Sequence, residues 1–326
     1  SMVLAIKQDS RDRIWMGTAG GVSYFDNEKW TLITPADGLA HNVVYTIYEG
    51  RNGVLWFGTE DGVSRYDGYT WRTYSVADGL TSNVVYSITE DNKGDIWFGT
   101  ADGASRFDGS QFIPCEATRG DSIRAILETR DGSMWLATNN GAKQFYNQKW
   151  NIFTVKDGLL SNDVLSLFQD KEGNLWFGTA RGASQYFGEQ IVIFTKQKGL
   201  ASNVVLSVFE DSQENLWFGT EKGLNIYDGE IISEVRDATD SAFGPISMIT
   251  TDSFGSLWIV SNNWNVRNGQ MQMHGITAST GVHRFNGENW SSVHRFNRES
   301  WSPLPRLNKA DDARYMPPSV FGRLVD

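Results

Sequence analysis

From Asn83 to Asp108 the chain reads Asn-Val-Val-Tyr-Ser-Ile-Thr-Glu-Asp-Asn-Lys-Gly-Asp-Ile-Trp-Phe-Gly-Thr-Ala-Asp-Gly-Ala-Ser-Arg-Phe-Asp. Much of the remaining sequence consists of variants of this unit. Its tryptophan belongs to a ladder of seven, Trp15, Trp56, Trp97, Trp135, Trp176, Trp217 and Trp258, spaced by 41, 41, 38, 41, 41 and 41 residues. A fixed period near 40 with turn signals inside each unit marks a solenoid or a propeller. Inside the unit, Val84 to Thr89 is short, β-branched and aromatic, and stops at Glu90-Asp91-Asn92-Lys93-Gly94. Ile96 to Thr100 and Gly103 to Phe107 follow, and Asp108-Gly109 gives a two-residue hairpin signal before Phe112 opens a fourth run. Four short antiparallel strands per unit, without helical period, predict an all-β, seven-bladed β-propeller.

The register repeats closely. Six of the seven ladder tryptophans are followed six residues later by glycine: Gly21, Gly62, Gly103, Gly141, Gly182 and Gly223. A hairpin pair comes five residues after each, and a large apolar residue such as Trp71, Phe112 or Trp150 begins the outer strand. Blades on such a schedule stack face to face, and the recurring Trp reads as their packing anchor. The expected division is a propeller over residues 1–302 and a tail over 303–326, acting as closure strand or linker.

Bulk composition narrows the function. The 326 residues carry 29 Lys and Arg against 39 Asp and Glu, a net charge of −10, with no basic run. Nucleic acid is therefore not an expected partner, because phosphate neutralisation needs clustered cations. No apolar stretch approaches the length of a membrane helix, and no secretory leader is visible. Cys115, the single cysteine, sits between Pro114 and Glu116, which do not activate a thiol. His41, His274, His283 and His294 show no metal spacing; His283 and His294 stand in two copies of His-Arg-Phe-Asn-x-Glu-x-Trp. Turns such as Asp91–Asp95 resemble calcium loops but lack the distal bidentate Glu. No nucleophile–base arrangement or phosphate loop stands out, so neither a cofactor, a metal nor catalysis is expected.

The unit Asn-Val-Val-x-x-Ile-x-Glu-Asp-x-x-Gly-x-Ile/Leu-Trp-Phe-Gly-Thr-x-x-Gly resembles the two-component regulator propeller repeat. It stands at 42–62, 83–103, 163–182 and 203–223, with degenerate copies at the start, at 123–141 and at 246–281. The resemblance implies an extracytoplasmic, periplasmic or extracellular sensor module of a bacterial signalling protein. It also implies that the motif residues are structural, so no catalytic residue carries over.

In a four-stranded blade the turn between strands two and three shares one end with the link to the next blade. Those turns vary, with Ala180-Arg181 and Glu221-Lys222 among them, and the links place His41, Ser82, Ser122, Asn162 and Ser202 near the channel mouth. Varied loops on a rigid scaffold are where binding usually resides. The seventh unit breaks the schedule: 23 residues instead of six separate Trp258 from Gly281. That insertion carries Asn263, Trp264, Asn265 and Arg267, a set suited to stacking on and hydrogen-bonding a sugar, or alternatively to capping the channel. The candidate ligand-binding residues are His41, Arg124, Arg181, Lys222, Asn263, Trp264, Asn265 and Arg267. The leading function is a sensor for a small polar molecule or oligosaccharide. Its rival is an interaction scaffold, with a second propeller or a homodimer as partner.

Overall fold

The computed structural model describes residues 2–294 apart from 27–28, 189, 238–239, 262–263, 268–269, 274–280 and 288–289; for 264–267, 270–273 and 292–294 it describes the backbone alone. The chain is a seven-bladed β-propeller. Blade three shows the pattern: Val85–Glu90, Ile96–Thr100, Gly103–Phe107 and Phe112–Cys115, each strand antiparallel to its neighbour. Every blade is one contiguous segment of chain, running from the innermost strand outward. Blade seven keeps the order Ile246–Thr251, Leu257–Ser261, Gly281–Phe285 and Trp290–His294, with a ribbon of Trp264–Arg267 paired to Gln270–Met273 inserted after its second strand. The tail and Asn263 lie outside the described residues.

The schedule of glycines follows from close approach. Gly62 sits at φ +99°, and a Cβ there would stand 2.4 Å from the Tyr74 carbonyl oxygen. Its N–H donates to the Asn83 carbonyl in the link to the next blade, at 2.6 Å. Only glycine combines the left-handed backbone with that proximity.

Among the described residues, seven apolar clusters fill the seven seams between blades, each holding one ladder tryptophan. Trp15, Trp56, Trp135 and Trp176 meet Phe57, Phe98, Phe177 and Phe218 of the following blade at centroid distances of 5.5, 5.4, 5.6 and 5.6 Å. Each such indole removes ~200 Å² from water, an upper estimate of roughly 5 kcal/mol at 25 cal/mol per Å².

The polar end of the indole is satisfied by a device in the first turn. Six residues before the tryptophan, Asp9, Asp91, Asp170, Asp211 and Asp252 accept from the indole Nε1 of Trp15, Trp97, Trp176, Trp217 and Trp258 at 2.7–2.9 Å. The other carboxylate oxygen of Asp91 accepts from the backbone N–H groups of Lys93 and Asp95 at 2.9 and 3.0 Å. These carboxylates are thus committed to N–H donors, which is why the loops look like cation loops and are built as turns instead. Gly50 and Thr129 stand at the matching positions of blades two and four.

A second device ties blade to blade at the same end. The last residue of an innermost strand reaches the first turn of the preceding blade: Glu49 to the Ser10 N–H, Glu90 to Arg51, Glu128 to Asn92, Gln169 to Arg130 and Glu210 to Lys171, at 2.7–2.9 Å. Gln8 of blade one accepts in the same way from the Ser253 N–H of blade seven, at 2.7 Å. Val3, Ile6, Ile14 and Met16 pack on Trp258, Val260 and Val282 across that seam. Among the described residues, blades seven and one therefore meet in an ordinary inter-blade seam without a shared sheet. Gln8→Ala should then destabilise by about 1 kcal/mol, matching Glu49→Ala in a denaturant titration. A loss several times larger for Gln8→Ala would show that this seam is special.

Candidate functional site

Each innermost strand carries one β-bulge near the end where the links arrive. Its ladder skips one residue: Leu4, Tyr45, Tyr86, Arg124, Leu165, Leu206 and Ser247 in blades one to seven. A bulged residue is left out of the pairing and the strand bends around it. The free edge of an innermost strand faces the propeller axis, and because the bulged residue falls outside the alternation of its strand, we read these seven positions as the lining of the channel throat. Packing agrees: Leu4, Leu165 and Leu206 are buried, yet belong to none of the seven inter-blade cores.

The throat has two chemical halves. Tyr45, Tyr86 and Arg124 form a polar arc on consecutive blades, and Leu165, Leu206, Ser247 and Leu4 line the other side, with the Ser247 hydroxyl its one polar group. The Tyr45 and Tyr86 rings touch, with centroids 5.5 Å apart. Burial first, then the Glu60 carboxylate and Tyr86, pushes the Tyr45 phenol up to about 12. Burial also raises Tyr86, with Arg124 opposing it and Glu60 adding to it. Both phenols stay protonated at ordinary pH and remain hydrogen-bond donors. Arg124, whose side chain is 5% exposed, pairs with Asp163 and donates to the Val164 carbonyl at 3.4 Å. It therefore bridges the throat of blade four to the link entering blade five.

Above the throat, His41 stands in the link to blade two. Its Nδ1 lies 3.7 Å from a Glu60 carboxylate oxygen and accepts from the Val43 N–H at 3.1 Å. Glu60 thus faces both the link histidine and the two throat tyrosines. Arg181 and Lys222 are exposed at the tips of their turns, where their backbone N–H groups donate to Thr179 and Thr220 hydroxyls at 3.1 and 3.2 Å. The sequence-derived set therefore divides. His41 and Arg124 join one cluster, Arg181 and Lys222 form the outer rim, and Trp264, Asn265 and Arg267 occupy a strand of the inserted ribbon whose side chains lie outside the described residues. Tyr45, Tyr86 and Glu60 were not singled out from the sequence. The signal was present: the bulged column always falls 11 residues before the ladder tryptophan.

Two other features are accounted for locally. A cavity of about 270 Å³ on the outer flank is lined by Arg65, Arg72, Tyr74, Phe107, Gly109 and Ser110. Arg65 is paired there with Asp67 at 3.5 Å, and Arg72 stacks over Tyr74 at 4.8 Å. Burial pushes the Cys115 thiol up to about 11, which keeps it from acting as a thiolate near neutral pH. Among the described residues, no three His, Cys, Asp or Glu side chains stand where they could hold one metal ion, and no helix is long and apolar enough to cross a membrane.

The architecture has known counterparts. The extracellular domain of a protein described as a hybrid two component system of B. thetaiotaomicron matches with a TM-score of 0.66 at 18% identity, over 94% of this chain and 53% of that one. Virginiamycin B lyase from Staphylococcus aureus matches with a TM-score of 0.65 at 18% identity, over 80% of this chain and 92% of that one. PorZ, a surface component of the type-IX secretion system of Porphyromonas gingivalis, gives 0.56 at 16%, over 87% and 46%. Identities this low establish likeness of fold, which sensors, lyases and secretion components share. The chain spans about half the length of the two component domain it resembles. No curated protein sequence matches it significantly. Five segments, 38–61, 79–102, 119–140, 158–181 and 199–222, match the family model for the two component regulator propeller. Each begins in or beside a blade link, crosses the bulged strand and the tryptophan strand, and ends at the turn beyond. With these repeats laid out as consecutive blades of a seven-bladed ring, the chain belongs to the two component regulator propeller family.

Proposed function

We propose that the chain is the non-catalytic, ligand-binding sensor propeller of a bacterial signalling protein, working outside the cytoplasm on a small polar molecule or oligosaccharide. The observation that carries this reading is the polar half of the throat. Tyr45 and Tyr86 offer protonated phenols, Glu60 and His41 stand above them, and Arg124 closes the arc. Concave sites with a few convergent polar groups and an apolar wall are how proteins hold small ligands. The extracytoplasmic setting is supported by the extracellular domain of the two component system among the structural counterparts.

The test is a thermal-shift screen of neutral and charged mono- to oligosaccharides and other small polar metabolites, followed by calorimetry on any hit. A true ligand should raise the melting temperature saturably. Tyr45→Phe and Tyr86→Phe keep the ring packing and remove one donor each, so each should weaken binding about 2–10-fold, the equivalent of one net hydrogen bond. Trp264→Ala reports separately on the inserted ribbon. A ligand whose affinity ignores both tyrosine variants would move the site away from the throat, and a screen without saturable hits would count against the sensor reading.

A further inference from the structure

The face that carries the links and the second-to-third turns is polarised in charge. On one side, exposed Asp37, Glu60, Asp61, Asp78 and Asp102 occupy the turns and links of blades one to three. The segments 35–38, 60–61, 76–79 and 101–102 that hold them contain no Lys or Arg. On the other side, exposed Arg181, Lys196, Lys198 and Lys222 occupy the turns of blades five and six and the link joining them, and the half-buried Glu221 beside Lys222 is held by the Ser202 hydroxyl at 3.1 Å. None of these four is paired with a carboxylate in the described ion pairs, and the Lys198 ammonium donates to the Ile193 carbonyl. The sector between them through the links of blades three and four is balanced: Glu116 pairs with Arg119 at 3.1 Å, blade four presents Asn139-Asn140, and Lys156 adjoins Asp157.

The geometry of the two arcs decides what fits them. In a seven-blade ring, blade two lies half a circuit from the link between blades five and six, so the arcs are diametrically opposed. We propose that this face docks on the same face of a second copy of the chain, as a twofold dimer. A twofold axis lying in the interface, at right angles to the acid–base line, lays each acidic arc on the other copy's basic arc. Seven-fold spacing then sets Asp37 opposite Lys222, Glu60 and Asp61 opposite Lys196 and Lys198, and Asp78 opposite Arg181. Such a contact is isologous and closes on itself. Complementary potentials of this kind steer encounter and fix register. Short 3-10 turns in the links, Val76–Asp78 and Val155–Asp157, add apolar contact through Val76 and Val155, which are 52% and 49% exposed. A chain of net charge −10 repels its copies on average, so a charge-swapped face that overcomes this is selective for one orientation.

The test uses the full chain without ligand, so its outcome is independent of the sensor reading. Sedimentation velocity at low ionic strength should show a dimer that dissociates as salt screens the contact. The double variants Asp61→Lys with Asp102→Lys, and Lys196→Glu with Lys198→Glu, should each be monomeric while still unfolding cooperatively, the first also giving up the hydrogen bonds that Asp61 and Asp102 accept from the Asn83 side chain and the Gly120 N–H. Mixed in equal amounts, they should dimerise again, because the reversed position 61 of one variant then faces the reversed positions 196 and 198 of the other, while Asp37, Asp78, Arg181 and Lys222 keep their original partners. A monomeric wild-type chain at low ionic strength, a dimer indifferent to both reversals, or a mixture that stays monomeric would each overturn the proposal.

Discussion

Trp176→Ala is expected to destabilise the protein by about 3–5 kcal/mol, the usual loss when a large aromatic is cut from a packed core. The residue is fully buried, packs on Phe194 and Phe218 at 5.1 and 5.6 Å, and hangs its Nε1 on Asp170 at 2.8 Å. The melting temperature should fall by on the order of 10 °C. Two companions make the reading specific. Asp170→Ala leaves the indole N–H buried without an acceptor and should remove about 1–3 kcal/mol. Tyr69→Ala, at a side chain 90% exposed, should stay within about 0.5 kcal/mol of wild type. Denaturant unfolding of the three variants checks the order, and a Trp176→Ala protein as stable as Tyr69→Ala would end the anchor argument.

Gly99→Val should be about as damaging, for the opposite reason. A Cβ on Gly99 would lie 2.3 Å from the Ser87 hydroxyl, 2.8 Å from Ile123 Cγ2 and 2.9 Å from the Ile123 carbonyl oxygen of the next blade. The hydroxyl can rotate aside; the backbone carbonyl cannot move without opening the seam. Gly99→Ala should destabilise by about 1–3 kcal/mol, the range for overpacking, and Gly99→Val by more. Blade four shows the permitted alternative, with Ala137 opposite Ala125 in the same pair of positions. Adding Ser87→Ala to Gly99→Ala should therefore recover part of the loss. Melting temperatures of the single and double variants test it; a double variant no better than the single would place the whole clash at Ile123.

The sequence disclosed the architecture because the fold is periodic and its period is written in large residues. Trp, Phe, Gly and Thr recur in register, so blade number, strand number and the end at which each loop emerges followed from counting. Its silence on the throat has a physical cause. The bulged position sits in a strand whose other residues alternate smoothly, and nothing local announces that Tyr45 or Tyr86 is left out of the ladder. In retrospect one column carries the signal. The residue before it is always Val or Ile, from Val3 to Ile246, while the column itself runs through Leu, Tyr, Arg and Ser. The Asp-to-indole hook was hidden differently: its aspartates read naturally as turn formers, and the second role needs the third dimension. Arg124 stands two residues beyond the link residue Ser122, and its pairing with Asp163 on the next blade is not visible in the chain order.

The bulges have an evolutionary consequence. Seven residues reach the channel from positions that make no strand-pairing contribution and lie outside every seam core. A single-codon change at one of them alters what the throat offers without entering a seam core, although at Arg124 it also removes the pairing with Asp163. Specificity and foldability are then inherited on separate sites, and the same ring can be re-addressed to a new ligand one blade at a time.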